Sequence, residues 1–467
     1  MRPPHRKIAR PVSAWYIFLC RIGAFWGANK MSKQIFLTNT LGQKKELFAP
    51  IRDGKVYMYV CGITPYDYSH IGHGRSYVNF DILVRLLRFL DYDVTYIRNV
   101  TDIDDKLLKK ETESGRNFKE IAKFYTDDFR TQMQAVGCLQ PTHEPNATDH
   151  IDDIIETIQS LIDKGHAYQL GSDVYFDVSS FEPYGKLSGK NLDDLREGAR
   201  VAVNEQKHNP EDFALWKGNS QDLFWKTPWG HGRPGWHIEC SAMIHKFCKD
   251  GLDIHAGGAD LIFPHHENEI AQSEAAYGIP LAKTWLHNAL LNIDNAKMSK
   301  SAGKIISLRE MFAKHDPMSV RFYFLQHSYR TPINFAYEKI ESSDKALRRL
   351  FAAIGDNQGN FVAGSEIVKE ALSAICDDLN TPKALGILFE NIGKIRESDE
   401  LASGVAWLLE NILGIKAPKE KVEKLSPEIL ELIKERDEAR KNKDWKKADE
   451  IRDKLAECGY AAQDKKL

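Results

Sequence analysis

A chain of 467 residues exceeds one ordinary core, so two or three domains are expected. Its 42% apolar and 28% charged residues exclude a disordered or low-complexity chain, and a net charge of −2 excludes nucleic-acid binding by bulk charge, so any such binding must rest on local features. Seven scattered cysteines, an odd number, are not a disulfide framework and point to a reducing compartment.

In chain order, the first thirty residues carry Arg2, Arg6, Lys7, Arg10, Arg21 and Lys30 and no acid. Their apolar run, Ala14 to Cys20, is too short to span a bilayer. A leader and an upstream extension are both readings; we expect the extension, outside the fold, with Met31 as the natural start. No other stretch is apolar and long enough for a membrane.

Lys55 to Val60 is β-branched and aromatic and predicts a strand. Gly74 to Leu90 places Val78, Ile82, Leu83, Leu86, Leu87 and Leu90 at helical spacing, and Val94 to Ile97 predicts a second strand. This is a βαβ unit. His70 and His73 then occupy the strand-to-helix turn, where open α/β sheets bind ligands and a helix N-terminus offers N–H groups to phosphate. Two imidazoles there can donate to phosphate oxygens, and Gly72 leaves room for a nucleotide against the backbone. Taken alone, two histidines in one turn are equally ordinary polar surface. Ile97 to Lys106 brings Thr101, Asp102 and Asp104 to the next strand end, as part of a site or as an acidic loop with Thr101 or Asp102 as N-cap.

Glu111 to Cys138 and Thr148 to Lys164 read as helices. Beyond Gly165 come short strand-like runs, Tyr168–Leu170, Val174–Val178 and Ala199–Val203, and two aromatic, loop-like stretches, Pro210–Lys217 and Trp225–Pro234. Residues 140–235 are therefore expected as an insertion between two halves of one nucleotide-binding sheet. The second half contains a strand-like segment before Cys240, a strand from Leu252 into a glycine-rich turn at Asp260, and a helix bounded by Pro264 and Gly278. A strand at Thr284–Leu291 follows, then the lysine- and serine-rich loop Lys297–Lys304. From Leu308 the pattern is helical to the end, with breaks near 358–365 and 418–421.

His265 and Glu269 lie four apart on one predicted helix and share a face. With Cys61 and Cys240 they make a tetrahedral zinc set, although Cys-x24-His-x3-Glu is no standard finger spacing. His266, Glu267 and Cys248 compete as ligands. The bland alternative makes both cysteines buried apolar residues and His265/Glu269 a surface pair. Trp445, an aromatic among cations in Lys443–Lys447, suits stacking on an unpaired base, or else is a core residue between two helices.

His70-Ile71-Gly72-His73 and Lys297-Met298-Ser299-Lys300-Ser301 resemble the two signatures of class I aminoacyl-tRNA synthetases. Gly235 to Cys240 and Phe263 to Glu269 resemble blocks specific to the cysteinyl-tRNA synthetases, and the resemblance covers residues 31–467. It implies an α/β fold: a Rossmann-like parallel-sheet catalytic domain split by an insertion, followed by an all-α C-terminal anticodon-binding bundle. The implied divisions are an extension at 1–30, catalytic halves at 31–139 and 236–305, the insertion at 140–235, a helical stem-contact region at 306–355 and the anticodon-binding domain at 356–467.

By the same resemblance, Cys61, Cys240, His265 and Glu269 ligate one Zn2+ per chain. His70, Gly72, His73, Asp260 and Lys300 meet ATP, which arrives with Mg2+. His70, His73, Lys297 and Lys300 are the catalytic groups, Thr101 and Trp236 shape the amino-acid pocket, and Trp445 contacts the anticodon. The implied partners are tRNA(Cys), ATP and L-cysteine, for a cytoplasmic monomer that meets no membrane. Ala302 departs from the leucine common there. The rivals are a cysteine ligase with a small-molecule amine acceptor and a non-catalytic zinc-dependent RNA-binding protein. The long helical region opposes the first, and intact His70, His73, Lys297 and Lys300 oppose the second.

Overall fold

The computed structural model describes residues 34–190, 206–219, 224–293, 296–297, 305–362, 365–418, 427–442 and 444–457. Residues 1–30, the predicted strand at 199–203 and Lys300 lie outside them. The chain divides into two compact units, with the boundary after Pro418.

The first unit opens with a hairpin, β1 (Phe36–Asn39) and β2 (Lys44–Leu47). Its centre is a four-stranded parallel sheet of β3 (Lys55–Ile63), β4 (Asp93–Val100), β10 (Leu252–Gly258) and β11 (Ala282–Asn288), in the order β11-β10-β3-β4. The period of two along β3 sends Val56, Met58 and Val60 into one core and Tyr59 and Cys61 into the other. Helix α1 (Ile71–Phe89) covers the first face with Val78, Ile82, Leu83, Leu86 and Leu87. That core continues into the helices from Leu308 to Trp407. Arg321, fully buried, joins these layers: it donates to Asp81 (2.5 Å), to the Leu413 carbonyl (2.6 Å) and to the Val136 carbonyl (3.0 Å).

The inserted sequence forms a five-stranded antiparallel sheet, order β5-β6-β7-β9-β8, from β5 (Ala167–Leu170), β6 (Asp173–Phe176), β7 (Phe213–Gly218), β8 (Trp225–Thr227) and β9 (Gly230–Pro234). The last three were expected as loops. Consecutive Leu215 and Trp216 are both 0% exposed, which erases the period-two signal of a half-buried strand. A three-stranded sheet joins β12 (Leu291–Ile293), β13 (Ala296–Lys297) and β14 (Ile333–Phe335), and β14 interrupts the region from Leu308 that was expected to be all helical.

Two further expectations are corrected. Glu111 to Cys138 is not one helix but the end of α2 (Asp105–Ser114) and then α3 (Phe118–Ala135); Gly115 at φ 67° caps the first, and the Asn117 side chain caps the second. The N-cap of α2 is Asp104, neither Thr101 nor Asp102. After α4 (Ile151–Asp163) and the inserted sheet, the strand-like segment expected just before Cys240 is helical: Cys240 lies inside α5 (Trp236–Phe247), where Ile238 to Ile244 are all buried, so no amphipathic stripe announces the helix. The helix expected from Pro264 begins as α6 at Glu267 and ends at Tyr277, with Gly278 as its left-handed cap.

The second unit comprises two packed helices, Pro427–Lys441 and Trp445–Glu457, which bury Ala439, Ala448, Ile451 and Leu455. No helix among the described residues is long and apolar enough to cross a membrane.

Candidate active site and metal centre

Four elements bring their chemistry to the C-terminal edge of the parallel sheet. Cys61 ends the straight part of β3, Cys240 lies on α5, and His265 and Glu269 follow β10 around the start of α6. Their donor atoms all lie within 4.8 Å of one another, and all four residues are buried. Cys61 Sγ is 3.7 Å from Glu269 Oε1, and Cys240 Sγ is 3.7 Å from His265 Nε2. Zinc–ligand bonds of about 2.0–2.3 Å at tetrahedral angles put ligands roughly 3.3–3.8 Å apart, so these edges fit a cation. The His265 Nε2–Glu269 Oε1 edge, at 2.7 Å, is a hydrogen bond, shorter than a ligand–ligand edge around zinc.

The electrostatics suit a cation too. Burial alone would push the His265 pKa down, but Glu269 and Cys240 hold it up at about 10. Burial works against Glu269 likewise, and His255 and His265 outweigh it, holding the carboxylate well below its usual range. Its hydrogen bond with Cys61 and the adjacent His265 keep the Cys240 thiol at about 6 against burial. Burial, together with Cys240 and Glu269, pushes Cys61 well up. A metal displaces protons from a set of thiol and imidazole ligands such as this one.

A surround of partners fixes the ligand atoms. His265 Nδ1 meets His237 Nδ1 at 2.8 Å; burial and then the His265 charge keep His237 neutral, so it accepts. Glu269 Oε2 is held by His255 Nε2 at 2.6 Å, leaving Oε1 for the cluster. Cys61 Sγ lies 3.2 Å from His266 Nε2, whose Nδ1 meets His287 Nε2 at 2.7 Å, and His287 Nδ1 meets Thr40 Oγ1 at 2.7 Å. Cys61, His255, His266 and Glu269 also form a compact donor set. Two competing ligands drop out. Cys248 sits with Arg52 and the Gly251 carbonyl, and Glu267 accepts the amides of Leu187 and Ser188.

Trp236 stacks on His265, ring centroids 4.3 Å apart, and is 39% exposed, which makes it the open side of the cluster. Thr101 is buried beyond β4, where its amide donates to Ile63 O and its hydroxyl accepts from Asn99 Nδ2. This junction needs Gly62, because a Cβ there would lie 1.5 Å from the Asn99 carbonyl oxygen. Asp102 turns away to bind the Thr148 amide and hydroxyl. Asp260 is exposed in the turn after β10 and folds back over Gly258.

His70 and His73 stack at 3.7 Å and cap each other: His70 N–H donates to His73 Nδ1 (3.2 Å) and His73 N–H to His70 Nδ1 (3.3 Å). With both Nδ1 atoms accepting, the ring proton of each neutral imidazole sits on Nε2. The amides of Ile71, His73 and Gly74 are already bonded, so the helix end is less free than the sequence led one to expect. Lys297 closes β13, while Lys300 is outside the described residues. Trp445 is 57% exposed, which disposes of the core-tryptophan reading.

Residues 47–345 match the family of class I (C) tRNA synthetase catalytic domains, and residues 422–467 match the cysteinyl-tRNA ligase anticodon binding domain. Among solved structures, the fold is similar to that of a putative arginyl-tRNA synthetase from Campylobacter jejuni (17% identity, 79% of this chain and 95% of that one, TM-score 0.51). It is also similar to a Mycobacterium tuberculosis methionyl-tRNA synthetase bound by methionyl-adenylate (13% identity, 77% and 92%, TM-score 0.55). The sheet, its signature turn and these matches define a class I aminoacyl-tRNA synthetase. Two cysteine–tRNA ligases, from Trichlorobacter lovleyi and Geobacillus thermodenitrificans, are each 45% identical over 90% of this chain and 95% of their own. The chain belongs to the cysteine–tRNA ligase family.

Proposed function

We propose that the chain selects cysteine through a zinc ion held by Cys61, Cys240, His265 and Glu269, activates it with Mg-ATP, and transfers it to the terminal adenosine of tRNA(Cys). The observation that carries this reading is the buried two-sulfur, imidazole and carboxylate cluster roofed by a half-exposed Trp236. The alternative set containing His255 and His266 is sealed beneath it, both imidazoles being 0% exposed. When bound, zinc supplies a soft site that favours a thiolate over a hydroxyl, so serine is refused without an editing step. His255 keeps Glu269 to one oxygen toward the cluster, which leaves room for a further donor.

In the first step the cysteine carboxylate oxygen attacks the α-phosphate of ATP. The bond to the bridging oxygen of the β-phosphate breaks, and pyrophosphate leaves. No protein group is a nucleophile; the work is positioning and charge stabilisation. His70 and His73 donate from Nε2, Lys297 and Lys300 balance the phosphate charge, Gly72 and Asp260 border the nucleotide, and Thr101 and Trp236 border the amino acid. In the second step a hydroxyl of the terminal adenosine attacks the adenylate carbonyl and AMP leaves. Trp445 stacks on an anticodon base. The match of residues 422–467 to an anticodon-binding family favours tRNA over a small amine as acceptor. The divisions given for the sequence and a cytoplasmic monomer complete this reading.

Amino-acid-dependent ATP–pyrophosphate exchange tests it, with cysteine and serine run side by side before and after zinc chelation. Exchange with cysteine alone, lost on chelation and restored by zinc, is expected. Exchange that survives complete removal of the metal overturns the selection mechanism.

A further inference from the structure

Arg75, two residues beyond His73 on α1, is 1% exposed. The two terminal nitrogens of its guanidinium reach five main-chain carbonyls: Nη1 reaches Ala289 (2.7 Å) and Leu290 (2.9 Å), and Nη2 reaches Ser328 (3.1 Å), Tyr329 (3.4 Å) and Thr331 (2.5 Å), while the buried Nε has no partner among the described residues. Ala289 and Leu290 are the link between β11 and β12, and Ser328 to Thr331 lead into β14, the parallel partner of β12. The neighbouring Ser76 hydroxyl donates to Asn288 Oδ1 at 2.6 Å. At the other end of the same segment, the Ile71 amide donates to Ile306 O (3.0 Å), and the Leu308 amide donates to Ser69 O (2.7 Å). Ala289 and Leu290 before the hairpin that carries Lys297, and Ile306 and Leu308 after it, are thus each fastened to the first turns of the helix that bears His70 and His73.

Placing a cation there is costly, and the bridging contacts are what it supplies in return. Taking a guanidinium out of water costs several kcal/mol, and its burial lowers the Arg75 pKa to about 10. An apolar side chain would avoid that cost but leave the carbonyls without a donor, and lysine, with one nitrogen, does not span two strands of chain as the planar fork does. We propose that Arg75 is a positioning residue for adenylation, setting the distance between the His70–His73 turn and the hairpin that carries Lys297. The inference rests on the role given above to that hairpin.

The test is the single-turnover rate constant of cysteinyl-adenylate formation per active site, with cysteine affinity measured in parallel, in Arg75→Lys, Lys297→Ala and the double variant. R75K is expected to slow the step about 10- to 100-fold with cysteine affinity within twofold. The double variant is expected to be no slower than K297A, because Arg75 acts through that hairpin. An arginine needed only for folding would lower the melting temperature and the active fraction but leave the rate per site unchanged, and that result overturns the proposal. Should R75K not fold, Ser76→Ala loosens the same junction. A drop of about threefold supports the proposal, and an unchanged rate overturns it. If K297A itself keeps the parent rate, the role given to the hairpin fails; if K297A is slow and R75K is not, only the inference about Arg75 fails.

Discussion

The sheet edge and the C-terminal helix pair hold their candidate functional side chains in opposite surroundings. At the edge, Cys61, Cys240, His265 and Glu269 are all buried, and the ring or carboxylate atoms of the last two that face away from the cluster have partners of their own. In the helix pair Trp445 is 57% exposed, and the ion pair Arg452–Asp449, at 2.8 Å, has side chains 48% and 63% exposed. A buried polar set is costly to assemble, and losing one member strands the others without water. An exposed set works by the sum of small contributions and tolerates substitution. The two regions therefore differ in how much a single change should cost.

The largest effect belongs to the cluster. Cys240→Ala should lower cysteine-dependent ATP–pyrophosphate exchange by more than about 10³-fold, as expected when a buried recognition group is removed. Affinity for tRNA, measured by filter binding, should stay within twofold. Equal losses in both would break the contrast between the two regions.

Next comes the buried charge network of the first unit. Asp81 accepts from Arg321, from Arg85 (2.8 Å) and from the Leu139 amide (2.7 Å). Burial opposes its ionisation, but Arg321 and Arg85 outweigh burial and hold its pKa below the usual value. A depressed carboxylate stabilises the fold above its unfolded pKa of about 3.9, and that contribution is lost as pH falls through the folded value. Asp81→Asn should cost roughly 3 kcal/mol by urea unfolding at pH 7, with the gap to the parent closing below about pH 4. Asp449→Ala in the helix pair should cost under about 0.5 kcal/mol by the same measurement. A gap that persists in acid would show that Asp81 acts by shape and not by charge.

The sequence carried the site's members more fully than their arrangement. The strings around His70 and Lys297, the period of two along β3 and the i,i+4 pair His265/Glu269 are local patterns, and local patterns survive in one dimension. Cys240 was found by type but assigned to the wrong kind of element, because a helix buried on all sides has no polar stripe to reveal it. Cys248 and Glu267 could be separated from the cluster of Cys61, Cys240, His265 and Glu269 only by contacts far apart in sequence, to Arg52 and to Ser188. His237, His255 and His287 went unnoticed, although a histidine inside an otherwise apolar strand, as in Ile254-His255-Ala256, is itself a signal of a buried polar partner. No pattern of spacing announces that His70 and His73 cap each other, since helix caps are ordinarily short oxygen-bearing side chains.

The smallest expected effect lies at Trp445 and is the most discriminating. Stacking of one base on an aromatic side chain contributes about 1–3 kcal/mol. Trp445→Ala should therefore raise the KM for tRNA in aminoacylation roughly 5- to 30-fold, with Trp445→Phe close to the parent. Because the side chain is 57% exposed, stability should change by less than about 0.5 kcal/mol. Cysteine-dependent exchange, which needs no tRNA, should not change at all. Salt dependence separates the aromatic from the cations beside it. Removing Lys446 or Lys447 from a phosphate contact would flatten the log–log salt slope by about 0.7–0.9, whereas a stacking contact releases no counterion and leaves the slope alone. A Trp445→Ala variant with weaker binding and an unchanged slope identifies a base contact. A flattened slope would mean that the tryptophan orients its basic neighbours, and an unchanged KM would move the anticodon contact elsewhere on the helix pair.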